Sequence, residues 1–239
     1  MIILLFFIAV VYVSAGFAGG SMYLAVLSNA FPESAWIRVP AILCNMTASG
    51  VGSMRFLWSR LVPLRNAGLL LCVSVPMTMW AASWSIQKEI FLGVLGLALI
   101  IAGVSLLIKK TSYMHAEQTT TNPWWIYPVV ACIGIVSGVT GIGGGIYLAP
   151  ILHTTNWAPP KKIAATTSLF IFVNSMFSFV ILILKGISWQ PQFASWMIAV
   201  GIGALVGGQL SVAYLKGPQL KIITGLLLII VGCKILIEI

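Results

Sequence analysis

The chain has 239 residues, 60% of them hydrophobic and 7% charged, with mean hydropathy +1.07. Soluble domains carry about 25% charged residues, so a soluble globular fold is excluded. Thirteen Lys and Arg stand against four acids, Glu33, Glu89, Glu117 and Glu238, and there is no Asp, which removes aspartyl catalysis, aspartyl-phosphate pumps and carboxylate metal sites.

At about 20 residues per span, this length allows roughly eight crossings and no independent soluble domain. In chain order the apolar stretches cover 2–30, 38–58, 67–86, 89–108, 124–152, 162–185, 192–215 and 219–238. Most have the length of one span. The stretches 2–30 and 124–152 are longer, about 29 residues each, and glycines interrupt both. The first apolar run ends in the small residues Ser14, Ala15 and Gly16, as a signal peptide does. It lacks a basic leader, however, and its pattern returns later in the chain, so it reads as a mature membrane segment. The cysteines, Cys44, Cys72, Cys132 and Cys233, lie far apart inside apolar stretches and read as buried thiols, without disulfides or zinc. Basic residues at the ends of apolar runs are the mark of cytoplasmic loops and give no reason to invoke nucleic acid. The expected fold is an all-α polytopic membrane protein whose partners are the lipid bilayer and a small solute, with no cofactor.

The polar linker 109–123 divides the chain into a first membrane repeat, 1–108, and a second, 124–239. The heptapeptide Gly19 to Ala25 matches Gly143 to Ala149 at an offset of 124, with five identities in seven. Arg38 falls on Lys162 at the same offset. Internal repeats are the usual build of secondary transporters.

Charge gives the orientation of the repeats. If every stretch crosses once, the N-terminal side collects Arg55, Arg60, Arg65, Lys109 and Lys110 in the first half, against Arg38 and Lys88 opposite. In the second half the same side has Lys185 and Lys234, against Lys161, Lys162, Lys216 and Lys221. The bias changes side, whereas positive charge belongs on one face. If 2–30 and 124–152 break at their glycines and double back, each half has an odd number of crossings and the repeat is inverted.

The densest glycine run is Gly138, Gly141, Gly143, Gly144 and Gly145, five in eight positions, with Pro150 beyond. Such a run disfavours regular helix. Non-helical backbone at membrane depth survives only when buried in protein or lining a wet cavity. A helix restarting there aims its free N–H groups at an anion. The alternative is close helix packing, favoured here for Gly201, Gly203, Gly207 and Gly208. The lysine and hydroxyl of a nucleotide phosphate loop are missing.

The run Ser137, Gly138, Val139, Thr140, Gly141, Ile142, Gly143, Gly144, Gly145, followed by Tyr147 and Pro150, resembles the signature of the sulfite exporter TauE/SafE family. Ala164, Ala165, Thr166, Thr167, Ser168 and Leu169 resemble its second patch. The first half departs from the pattern, with fewer glycines around Gly19 and Gly20, and with Val26 in the place of Pro150. The resemblance implies export of sulfite or an organosulfonate such as sulfoacetate across a bacterial inner membrane. Residues and spacing by themselves indicate only a transporter compatible with small anions, thiosulfate and carboxylates included.

The candidate anion-binding residues are Gly143, Gly144, Gly145 and Tyr147 at one break, with Gly19, Gly20 and Tyr23 at the other. Asn45, Thr167 and Ser168 follow on the next segments, and Gln209 is a further lining donor. Hydroxyl and amide donors can replace water around a sulfur oxyanion. Interhelical bonding explains Thr47, Ser49 and Asn174 as well. Arg38, Lys161 and Lys162 are candidates to guide anions at an entrance, or are plain loop charges. An intramembrane hydrolase needs a nucleophile and base inside the bilayer, and His115 and His153 both lie near segment ends. A non-transporting accessory subunit calls for packed, unbroken helices.

Overall fold

The computed structural model describes residues 1–31, 38–82, 89–108, 122–184 and 191–237, and no strand occurs among them. The helices are α1 (Ile2–Ser14), α2 (Gly20–Ala30), α3 (Arg38–Trp58), α4 (Leu64–Ala82) and α5 (Glu89–Ile108) in the first half. The second half has α6 (Ile126–Thr140), α7 (Gly145–Thr154), α8 (Pro160–Leu184), α9 (Gln192–Gln209) and α10 (Gly217–Ile237). A π-helical turn, Leu210–Tyr214, extends α9. Both long apolar stretches are therefore divided, α1 from α2 and α6 from α7. Pro150 lies within α7 and does not end it. Residues 109–121 of the linker, with His115 and Glu117, lie outside the described residues.

Three helices, Pro160–Leu184, Gln192–Tyr214 and Gly217–Lys234, are long and apolar enough to cross a membrane. Burial is distributed as a bilayer requires. Phe7, Ile101, Ile198 and Leu205 are exposed, while Asn45, Ser74, Thr78, Thr167, Ser168 and Asn174 are buried. Trp58, Trp80 and Trp124 are exposed at helix ends, where indoles suit the interface. Only Cys44 of the cysteines is buried; Cys72, Cys132 and Cys233 face outward, because an apolar segment presents one side to lipid.

Packing follows small residues. α9 lies along α1, and α6 along α4. A Cβ at Gly203 would stand 2.5 Å from the Phe6 carbonyl oxygen, and one at Gly207 the same distance from that of Val10. At Gly134 a Cβ would come within 2.6 Å of the Ser74 carbonyl, and Gly138 is equally tight against Thr78. Glycines at i and i+4 let backbones meet where side chains would hold them apart. Gly201 and Gly208 make ordinary contacts only. α3 packs on α8 and α9, α8 also on α4, and α5 on α10, while α2 lies on α3 and α7 on α8.

Polar side chains tie the central helices. The Ser74 and Thr78 hydroxyls lie 3.1 and 2.8 Å from Asn174 Oδ1, whose Nδ2 donates to Phe170 O at 2.9 Å. Ser53 donates to Ser168 Oγ at 3.2 Å, and Ser168 to Ser49 O at 3.3 Å. Thr47 and Ser49 bond back to their own helix, at 2.9 Å to Leu43 O and 2.6 Å to Asn45 O. Asn174, Thr47 and Ser49 are thus engaged structurally.

The glycine seams predict a contrast. Gly207→Ala should destabilise the protein in detergent by about 1–3 kcal/mol through overpacking. Gly68→Ala, at a position with nothing within 4 Å, should be neutral or stabilising by up to about 1 kcal/mol through helix propensity. Thermal unfolding of the two purified variants checks both.

Candidate functional site

The site is built from the two breaks and the helices that receive them. α1 ends at Ser14, and Gly16 and Gly19 take φ of 83° and 85° before α2 begins. α6 ends at Thr140, and Gly141, Gly143 and Gly144 take φ of 74°, 82° and 72° before α7. These left-handed conformations favour glycine strongly. The first N–H groups of any helix lack partners within it. The earliest bond inside α2 runs from Tyr23 N to Gly19 O at 2.9 Å, so the N–H groups of its first turn point out of the helix end.

Each break is held by a polar side chain from the opposite half. Asn45 on α3 donates through Nδ2 to Ile142 O of the second break at 3.2 Å, and to Ser175 Oγ on α8 at 2.8 Å. Thr167 on α8 has its hydroxyl 3.1 Å from Gly16 O of the first break, shared with Ile163 O and Ala164 O of its own helix at 3.0 Å each. Gly16 lies so close to Ala164 that no Cβ fits between them.

A cavity of about 10 Å³ lies where the breaks approach, lined by Tyr12, Gly19, Gly20, Ser21, Asn45 and Ile142 among others. That is room for about one water. Among its lining residues Asn45 Oδ1 is buried without a hydrogen-bond partner, and the buried hydroxyls of Tyr12 and Ser21 have none beyond each other. The Lys234 ammonium of α10 donates to Ser21 O at 3.2 Å. An orphaned polar set beside a helix N-terminus and a cation, with no acid among the lining residues, is chemically suited to an oxyanion.

The residues expected from sequence separate here. Gly19, Gly20 and Asn45 line the cavity. Gly143, Gly144 and Gly145 do not; Gly143 abuts Ser175 and Ile171, Gly144 abuts Ile133 and Phe170, and Gly145 abuts Ile171. Tyr23 and Tyr147 are buried beside their breaks; the Tyr23 hydroxyl lacks a partner, as does Ser137 Oγ next to Gly144, while the Tyr147 hydroxyl neighbours that of Thr140. Thr167 holds the first break, while Ser168 belongs to the α3–α8 seam. Gln209 is exposed at the end of α9, apart from the cavity. Lys161 donates to Val212 O of the π-helical turn at 2.8 Å, and Lys162 is partly exposed on the same helix end. The side chain of Arg38 lies outside the described residues. Tyr12, Ser21 and Lys234 are additions from the structure. The signal for Ser21 was present in the repeat, where it stands against Gly145, but nothing in sequence points Tyr12 or Lys234 inward.

Comparison with known proteins agrees with this architecture. The family described as sulfite exporter TauE/SafE matches residues 1–235. A probable membrane transporter protein, y4hK, of Sinorhizobium fredii is 31% identical, covering 97% of this chain and 95% of its own. A probable membrane transporter protein of Bacillus subtilis, YunE, is 28% identical over 65% of this chain and 60% of its own. Sulfite exporter TauE/SafE family protein 2 of Arabidopsis thaliana is 31% identical over 42% of this chain and 22% of its own. No solved structure matches. With a family match along nearly its whole length and a relative at that identity and coverage, this multi-pass membrane protein belongs to the sulfite exporter TauE/SafE family of transporters.

Proposed function

We propose that this chain exports a small sulfur oxyanion, sulfite or an organosulfonate such as sulfoacetate, across a bacterial inner membrane, binding it at the glycine-broken helix ends. The observation that carries this reading is the cavity at the start of α2. Its lining offers the N–H groups at the start of α2 and two hydroxyls that have no partner beyond each other, with the Lys234 ammonium on Ser21 O and no carboxylate among the lining residues. That set favours negative charge and disfavours metal cations. A membrane potential negative inside drives an anion outward by about 2.3 kcal/mol per charge per 100 mV, so export needs no carboxylate relay.

The reading includes an inverted repeat of eight apolar segments. Its support is that the pairings come in corresponding sets: α1 on α9 with α6 on α4, α2 on α3 with α7 on α8, and α3 on α9 with α8 on α4. Exchange of the halves turns each pairing into another. Because about 10 Å³ is too small for a sulfur oxyanion, binding on this reading requires the cavity at the start of α2 to widen. A non-transporting accessory subunit is disfavoured by the breaks themselves, since packing alone does not call for two helices interrupted at membrane depth.

Reconstituted liposomes test the proposal. Wild type should carry labelled sulfite down an imposed gradient, with protein-free vesicles as baseline. Lys234→Met should slow that flux by about tenfold through loss of favourable charge, whereas Lys216→Met, at an exposed position, should leave it unchanged. Gly20→Ala puts a methyl 2.7 Å from Asn45 Oδ1 and should slow flux more than it lowers the amount of inserted protein. Absence of flux for every small anion tested, with wild type correctly inserted, overturns the exporter reading.

A further inference from the structure

One group in the cavity has a hydrogen-bonding sense that its surroundings fix. The Asn45 amide bonds to Ile142 O, and a carbonyl oxygen only accepts, so the atom facing it is Nδ2. Asn45 Oδ1 is left as an obligate acceptor. The residue is 1% exposed, Oδ1 has no partner, and it stands over Gly20 of the cavity wall. A buried carbonyl in that state is costly until something donates to it.

Its neighbours have the opposite sense. The first-turn N–H groups of α2 only donate, Lys234 brings positive charge to Ser21 O, and the Tyr12 and Ser21 hydroxyls serve either role. A metal cation would satisfy Oδ1 but is repelled by the ammonium and by the positive end of α2. An anion without hydrogen satisfies the donors yet sets its own oxygen against Oδ1. An anion carrying its own O–H satisfies both sides.

We infer that the cavity at the first break binds a singly protonated sulfur oxyanion, hydrogensulfite in its O–H form, in preference to the sulfite dianion or a sulfonate. Its O–H donates to Asn45 Oδ1, and its charged oxygens accept from the start of α2 and from the Tyr12 and Ser21 hydroxyls. The inference rests on the proposed transport of sulfur oxyanions and narrows it to one protonation state. Sites built around a hydrogen-bond partner reject the analogue that lacks it, because a buried group is left unpaired.

Liposome flux separates the possibilities, using sulfite and methanesulfonate, a sulfonate with no O–H. At constant total sulfite, wild-type flux above protein-free vesicles should fall as pH is raised through the hydrogensulfite pKa, tracking the monoanion. Methanesulfonate should move more slowly by about tenfold or more. Asn45→Val should bring sulfite down to the methanesulfonate rate and flatten the pH profile. Ser175→Ala removes an acceptor of Nδ2 but leaves Oδ1 in place, and should keep both the selectivity and the profile. Should Asn45→Val fail to insert, the wild-type pH profile and substrate comparison still decide. Flux that rises with pH, or methanesulfonate carried as fast as sulfite, overturns this inference alone. No flux for either anion overturns the transport reading and the inference with it.

Discussion

The architecture depends on one constraint: a helix interrupted at membrane depth exposes carbonyl and N–H groups that lipid cannot satisfy. Here part of that demand is met across the middle of the molecule. Asn45 of the first half reaches Ile142 O of the second break, and Thr167 of the second half reaches Gly16 O of the first. Neither half supplies both partners for its own break. The halves are therefore interdependent in a way that apolar packing alone does not impose. The same crossing explains the glycines at close range, since side chains of two or three atoms reach a neighbouring break only if the helices nearly touch. Gly16 against Ala164 is such an approach.

Most of the helix framework was legible from hydropathy, because a span needs an unbroken apolar run and loops do not. The breaks were legible from glycine density. What each glycine faces was not. Gly143, Gly144 and Gly145 read as anion-binding backbone at a helix break, and the side chains of Ile171, Ile133 and Phe170 that lie against them were not foreseeable. Asn45 and Ser168 had equal standing as polar residues in corresponding segments. A helix turns about 100° per residue, so small rotations decide whether a side chain meets a break or a neighbouring helix; Asn45 reaches the break, and Ser168 binds Ser53 and Ser49. Lys234 sits at a span end and reads as a loop charge. Its ammonium reaches Ser21 O of α2, a contact that sequence position does not encode.

The two breaks share a backbone plan and differ in chemistry. The first half, poorer in glycine, places Ser21 where the second has Gly145, and it is the first break that borders the cavity with unpartnered polar atoms. Glycine in the second half allows α7 to sit tightly on Ile171 and Thr167. On the proposed function this divergence is a division of labour between the two breaks. One packs closely and sets the spacing, while the other keeps side chains that can meet a solute.

That division has a consequence for how movement and binding connect. Asn45 faces both breaks, holding Ile142 O through Nδ2 while the unpartnered Oδ1 stands over Gly20. A displacement of the second break that stretches the Nδ2 bond also reorients the amide, and so changes the acceptor offered at the first. Conversely, a ligand that fixes Oδ1 fixes the orientation in which Nδ2 can hold Ile142. On the proposed binding mode a single planar amide couples occupancy of one break to the position of the other, with Ser175 as the remaining anchor at 2.8 Å. Two side chains of separate helices could loosen independently. The two ends of one amide cannot, and on the proposed binding mode that rigidity is what lets a solute at the first break act on the second.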